Sequence, residues 1–329
     1  MAGQALRCGG AGDLGVNVAG IDCGTNSIRL LIGEVDDAGV LHEQARVMRI
    51  VRLGEGVDRT GEFAHDALVR TFDACTEYAE LINRAGASRV RFVATSASRD
   101  VRNRREFFDG VRERLGVEPE VITGVEEADL SFLGAIRGLP SGAVAFPALI
   151  LDIGGGSTEF VLGSEQPTES ISVDIGCVRL TERHLHGDPP TREQIAAVEQ
   201  DLVTAMESAR SVVPFERARS LVGLAGTVTT VAAMAMSLAE YDPVLLHGCV
   251  VSADQIEEVT AELLAMSRAK RAALPFMHRG RVDVIAGGAM VLRAAVRAIG
   301  LGQVVVSESD ILDGILYRLH LLGEDPARV

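Results

Sequence analysis

The chain has 329 residues, 47% hydrophobic and 24% charged, which is enough for about two ordinary globular domains. Its 46 acidic and 32 basic residues leave a net charge of −14, which argues against a nucleic-acid surface and means that an anionic substrate needs a locally positive site. No apolar run reaches the roughly 20 residues of a membrane-spanning helix, and five widely spaced cysteines without a CxxC pair suggest neither zinc nor a disulfide framework, as expected for a reducing cytoplasm.

Residues 1–16, MAGQALRCGGAGDLGV, lack the apolar core of a secretory signal, and a flexible tail is expected. Residues 18–22 form an apolar run that stops at the turn CGTNS. IRLLIGEV and then GVLHEQARVMRIVRLG follow, predicting a strand, a hairpin and a third strand. Leu68, Phe72, Cys75, Ala79 and Ile82 recur at helical spacing and predict a helix over 64–86 that ends at Gly86. RVRFVATS reads as a buried strand, 100–115 as a helix, VEPEVIT as a strand and EEADLSFLGAIRG as a helix. The basic stretch SRDVRNRREF reads as a solvated helix face.

The second half repeats this order. ALILDIGGGSTEFVLG predicts strand, glycine turn and strand, and ESISVDIG a third strand. Helices are expected over about 178–187 and 191–213, a strand at SLVGLAG and a helix over 227–240. Helices over 252–266 and 278–299, a short strand QVVVS and a last helix over 310–323 complete the pattern. Strands alternating with helices predict an α/β fold with mixed sheets. Shifted by 130 positions, Asp22 falls on Asp152, Gly24 on Gly154, Ser27 on Ser157 and Gly33 on Gly163, without a gap. Each half therefore opens with the same strand, aspartate-bearing turn and strand, and two similar lobes across a cleft are expected.

Glycine lets backbone approach a ligand closely, and successive N–H groups in such a turn form an anion-binding concavity. Ser27, Ser157 and Thr158 add hydroxyl donors. An aspartate at the strand end would repel phosphate unless a cation lay between them, and Mg²⁺ suits carboxylates, waters and phosphate oxygens together. On this reading Asp22, Gly24 and Ser27 belong to one phosphate turn, Gly154, Gly155, Gly156, Ser157 and Thr158 form the other, and Asp152 and Glu159 hold the metal. A bare hairpin turn with a local aspartate cap explains one such motif as well as phosphate does, but explains a duplicated one less well. A third glycine turn, VGLAGTVTTVA, again leads a strand into a helix N-terminus, a weaker signal for an anion. Glu126 or Glu127, near a helix start between the halves, could accept a proton from an attacking water; local sequence does not choose between them. Arg99 could neutralise phosphate charge, while Arg29, Arg52 and Arg179 could equally be salt-bridge partners. His184 and His186 form an HxH that reads as a helix surface.

AGIDCGTNSIRLLIGEV, LILDIGGGSTEFVLG, VRLGEGV, FVATSASRD, VITGVEEADLSFLGA, DIGCVRLTE, GLAGTVTT, RVDVIAGGAMVL and SESDILDGIL, in this order, resemble the segments of the exopolyphosphatase / guanosine pentaphosphate phosphohydrolase family. The resemblance implies two ribonuclease-H-like lobes of the actin, sugar-kinase and heat-shock ATPase superfamily around a central cleft. Boundaries are expected at 17–128 and 129–307, with the last helix (308–329) packing back on the first lobe, since chain ends often lie close together. The resemblance further implies a phosphoanhydride hydrolase that removes the terminal phosphate of inorganic polyphosphate with Mg²⁺ (or Mn²⁺), Glu127 as base, Arg99 beside it, and Thr25 and Asn26 in the first phosphate loop. A homodimer is a further implication. Longer family members carry an additional helical domain; without it, short polyphosphate chains are the expected substrate. The alternatives are a guanosine pentaphosphate phosphohydrolase, a sugar kinase or chaperone-type ATPase, and a non-catalytic polyphosphate or alarmone sensor.

Overall fold

The computed structural model describes residues 17–99 and 101–323, so the expected N-terminal tail lies outside the described residues. β1 (Val18–Cys23) and β2 (Ser27–Val35) form an antiparallel hairpin, and every residue of β1 is buried. A strand covered on both faces reads as a continuous apolar run rather than as alternation. β3 (Leu41–Ile50) pairs with β2 as a polar, largely solvated edge. After a single turn, α1 (Val57–Thr60), the helix α2 (His65–Ala85) ends at Gly86, whose φ of 63° suits glycine. β4 (Arg89–Ala94) runs parallel to β1, then α3 (Arg104–Leu115) leads to β5 (Glu120–Val121) and α4 (Gly124–Gly138). The sheet order is β3-β2-β1-β4-β5.

The second half opens with β6 (Ala148–Ile153), β7 (Thr158–Gly163) and β8 (Pro167–Val173), again an antiparallel meander. Helices α5 (Cys177–His184) and α6 (Arg192–Val212) precede β9 (Ser220–Leu224), which runs parallel to β6. Next come α7 (Ala225–Ala235), α8 (Pro243–Leu246), β10 (Val250–Ser252), α9 (Ala253–Ala265), α10 (Arg268–Ala272) and α11 (Ile285–Ile299). β11 (Gln303–Val306) lies parallel to β9, and α12 (Ile311–Gly323) follows. The order β10-β11-β9-β6-β7-β8, read from β8, repeats that of the first sheet and adds one antiparallel edge strand. The expected α/β class with two ribonuclease-H-like sheets is what the chain adopts.

Several elements differ from the sequence expectation. The helix expected at 100 starts at Arg104, after a short 3₁₀ turn at Ser96–Ser98. The strand expected over 117–123 keeps only two residues, and the helix expected to reach 240 stops at Ala235 before Ser237, whose φ is 53°. The helix expected from 278 begins at Ile285, because residues 278–284 form turns closed by Arg281 N–H to the His278 carbonyl (2.9 Å). Apolar periodicity does not distinguish such turns from a first helical turn.

Helix α4 ties the two sheets together. Leu130 packs with Val18, Leu31 and Val93 of the first, whereas Ala128, Phe132 and Ala135 pack on Ile150, Val161 and Val222 of the second. α12 crosses α4 at bare backbone. A Cβ on Gly134 would lie 1.8 Å from the Asp310 carbonyl oxygen, and one on Gly314 would lie 1.9 Å from that of Leu130. Neither obstacle is a movable side-chain end. Gly134→Ala is therefore expected to cost at least about 2 kcal/mol by overpacking, read as a lower midpoint in thermal or denaturant unfolding.

Candidate active site

The two glycine turns face each other across the cleft between the sheets. In the first, Gly24 N–H donates to the Ser27 carbonyl at 3.0 Å; in the second, Gly154 N–H donates to the Ser157 carbonyl at the same distance. Their approach requires bare backbone, since a Cβ on Gly155 would lie 2.9 Å from Thr25 Cβ. The second turn is anchored from behind: the Gly155 carbonyl accepts from the N–H groups of Val178 (2.9 Å) and Arg179 (3.1 Å). Asp22, Gly24, Thr25, Asn26 and Ser27 line the cleft from one side, and Asp152, Gly154, Gly155 and Ser157 from the other.

The repeats diverge at one decisive position. The offset that sets Asp22 on Asp152 also sets Arg29 on Glu159. In the sheets, Asp22 stands opposite Arg29 and Asp152 opposite Glu159. The first pair is self-neutralising: Arg29 Nη2 donates to Asp22 Oδ2 at 2.7 Å and Nη1 to Asp310. The second sets acid against acid. Asp152 Oδ2 accepts from the Ser131 hydroxyl at 2.7 Å, and Glu159 Oε1 from the Ser172 hydroxyl at 2.7 Å. Among the described residues, the buried atoms Glu159 Oε2 and Asp22 Oδ1 find no hydrogen-bond partner. Burial raises the pKa of both second-turn acids, with the Asp152 charge adding to the effect on Glu159 and that of Asp310 to the effect on Asp152.

Orphaned carboxylate oxygens beside a like charge are the environment that a divalent cation would relieve, so the donor set fits Mg²⁺. Among the described residues, no three His, Cys, Asp or Glu side chains form a cage.

Geometry separates the two glutamates that sequence left open. Thr123 caps α4, its hydroxyl accepting from Glu126 N–H at 3.1 Å. One position apart on the helix, Glu126 turns to Arg91 (2.7 Å), while Glu127 lines the cleft and accepts from Arg99 Nη2. Burial and the Glu159 charge raise the Glu127 pKa, and Arg99 opposes them. Arg99 is fixed in turn by donating from Nε to the Ile122 carbonyl at 3.2 Å.

Other candidates lie elsewhere. The Thr158 hydroxyl is buried and donates to the Ile175 carbonyl (2.7 Å), so it braces the turn rather than facing the cleft. Gly156 lines a neighbouring cavity, and its carbonyl accepts from Arg179 Nε at 2.7 Å. Arg52 and Arg179 are salt-bridge partners, of Asp283 (2.8 Å) and Asp58 (2.6 Å), and His184 pairs with Asp201 (2.8 Å). Conversely, Arg281 lines the cleft although nothing in its local sequence singled it out. Its guanidinium lies against the third glycine turn, where a Cβ on Gly226 would be 2.2 Å from Arg281 Cζ. That turn's glycine was the available signal. The cleft has a volume of about 110 Å³ and adjoins a second cavity of about 500 Å³.

Comparison with known proteins gives the chain a family. The model of the Ppx/GppA phosphatase family matches residues 31–322. Exopolyphosphatase 2 of Mycobacterium tuberculosis is 50% identical over 314 residues, covering 92% of this chain and 98% of that protein. Among solved structures, an exopolyphosphatase-like protein superposes with a TM-score of 0.89 at 44% identity, over 93% of this chain and 99% of that one. An Aquifex aeolicus Ppx/GppA family member gives 0.78 at 31%, over 94% and 99%. A nucleoside triphosphate hydrolase from Neospora caninum, at 10% identity and a TM-score of 0.50 over 94% and 93%, shares the fold alone. With its two glycine turns, its acid pair and a family match over nearly its whole length, the chain belongs to the Ppx/GppA phosphatase family.

Proposed function

We propose that this protein is an exopolyphosphatase that hydrolyses the terminal phosphate of inorganic polyphosphate, using a water activated by Glu127. The observation that carries this reading is the unneutralised Asp152–Glu159 pair set beside two facing glycine turns, an arrangement suited to a metal-bound phosphate terminus. The 50% identity to a protein named exopolyphosphatase 2 supports it.

In this mechanism Gly24 and Gly154 close the two turns, and the amides of Thr25, Asn26 and Ser27 and of Gly155 and Ser157 orient the terminal phosphate, aided by the Ser27 and Ser157 hydroxyls, while Gly156 lets the second turn pass close to the first. Thr158 holds the second turn in shape. Mg²⁺ (or Mn²⁺), held by Asp152 and Glu159, would screen phosphate charge from the carboxylates. Arg99 occupies Glu127 Oε2, which leaves Oε1 to take the proton of the attacking water. Arg281 presents positive charge to the departing end of the chain. The reading carries with it a cytoplasmic site of action, a preference for short chains and a homodimer as the assembly to look for. No helix among the described residues is long and apolar enough to cross a membrane.

Guanosine pentaphosphate is the second reading, favoured by one feature. The adjoining 500 Å³ cavity is lined by Tyr241, Pro275, Phe276 and Met277 next to Arg281, apolar surface that an inorganic chain does not need. Orthophosphate release with Mg²⁺ from short polyphosphate, long polyphosphate and guanosine pentaphosphate decides between them. The highest kcat/KM is expected for short polyphosphate, and a higher value for guanosine pentaphosphate would reverse the assignment.

Glu127→Gln is expected to lower kcat by about 10²–10⁴-fold with KM nearly unchanged, as for loss of a general base; near-full turnover would remove Glu127 from the mechanism. Glu159→Gln removes one acid of the pair and should move the Mg²⁺ titration of activity to several-fold higher concentration, with chelator abolishing turnover of both proteins. An unchanged titration would place the metal elsewhere.

A further inference from the structure

We propose that the product orthophosphate leaves through a third cavity, on the far side of the glycine turns from the cavity that receives the substrate chain. The inference rests on the exopolyphosphatase reading and concerns how that site is emptied.

Three cavities lie in series. The second shares Arg29, Met48, Ala225, Gly226 and Arg281 with the cleft. The third, of about 260 Å³, shares Thr25 and Ser96 with it. Among the described residues none lines both the second and the third, and the cleft lies between them. The partition on the far side is thin and polar. Thr25 Oγ1 and Ser96 Oγ are hydrogen-bonded at 3.0 Å, and Gly156 lies against them, a Cβ there falling 2.8 and 2.9 Å from the two oxygens. Two short hydroxyl side chains thus line both spaces, with a bare glycine against them and Ala97 and Val178 beside them on the side of the third cavity.

The two ends differ in charge. In the second cavity Arg29 and Arg46 are closed by ion pairs with Asp22, Asp310, Asp313 and Glu43, and Arg281 donates to the Thr230 hydroxyl (3.1 Å), whereas in the third Arg179 faces three acids, Asp58, Asp174 and Glu182. A polyanion is drawn to the first end and repelled from the other. An acidic passage also binds orthophosphate weakly, as an exit should. Hydrolysis forms a bond from water oxygen to the terminal phosphorus and breaks the terminal bridging P–O bond. The freed ion then lies between the glycine turns and the new chain end. Departure by the entrance would require the chain to withdraw first; departure through the third cavity lets it advance.

Two substitutions outside the catalytic machinery test this on the full chain with Mg²⁺ and polyphosphate. Asp174 stands at the cavity rim with its side chain 85% exposed. Asp174→Lys should strengthen inhibition by added orthophosphate about fivefold while KM for polyphosphate stays within about twofold, and about 0.5 M KCl should erase the difference. Val57 lines only the third cavity of the three, and Val57→Trp should fill it. Stopped-flow detection with a phosphate sensor outside the protein should then show release slowed several-fold, while quenched-flow samples show a rapid burst of one cleavage per protein. Unchanged orthophosphate inhibition together with no burst would overturn the proposal. A shift in polyphosphate KM instead would assign the cavity to the substrate chain and overturn it equally. Absence of any orthophosphate from the wild-type protein would remove the exopolyphosphatase reading, and this proposal with it.

Discussion

Two carboxylates, Asp152 and Glu159, are held opposite each other on adjacent strands in a buried site, each hydrogen-bonded to a hydroxyl while the charges of Arg29 and Arg99 act from further away. The rest of the site is arranged around this constraint. Burial alone penalises each charge, and mutual repulsion adds to the cost. The chain offsets part of it with hydroxyl donors, Ser131 to Asp152 and Ser172 to Glu159, but leaves Glu159 Oε2 unpaired. A fold concerned only with stability would place an arginine here, as the first half does: Arg29 occupies the equivalent position and closes on Asp22 and Asp310. The unsatisfied acids therefore mark where function departs from packing.

Helix α4 turns that local constraint into a reacting site. Glu127 and Ser131 are four residues apart, on one face of the helix; one lines the cleft and the other donates to Asp152. The position of Glu127, the proposed general base, is thus linked to that of the acid pair. The helix is itself pinned by the crossing with α12, where Gly134 and Gly314 bring the backbones together, and by apolar contacts to both sheets. Asp310, which accepts from Arg29, lies just before α12. Residues nearly three hundred positions apart in the chain thereby set one geometry.

Much of this was legible in the sequence because it is encoded locally and twice. The hairpins around Asp22 and Asp152 combine apolar runs with glycine turns, and the offset between them aligns the turns without a gap. What was not legible depends on distant contacts. Glu126 and Glu127 have the same local chemistry, and only the placement of Arg91 and Arg99 on the first lobe sends them in different directions. Arg281 comes from turns that apolar periodicity presented as helix, and its neighbour Gly226 lies far away in sequence. Thr158 looked like a phosphate donor because its hydroxyl sits in the turn, yet the Ile175 carbonyl takes that hydroxyl. Donor type can be read from sequence; donor direction cannot.

The two repeats also explain why a nearly symmetric scaffold can act on one end of a substrate. Both glycine turns close the same hydrogen bond, so each offers a similar anion-binding backbone. Symmetry of that kind grips phosphate without distinguishing its sides. The single exchange of Arg29 for Glu159 breaks it: one wall carries a neutralised ion pair, the other an acid pair suited to a divalent cation. Glu127 enters beside the acid wall, and Arg29 and Arg281 line the opening toward the larger cavity. On the proposed mechanism, water activation by Glu127 and the positive charge of Arg281 fall at different positions around one phosphorus, as in-line displacement requires.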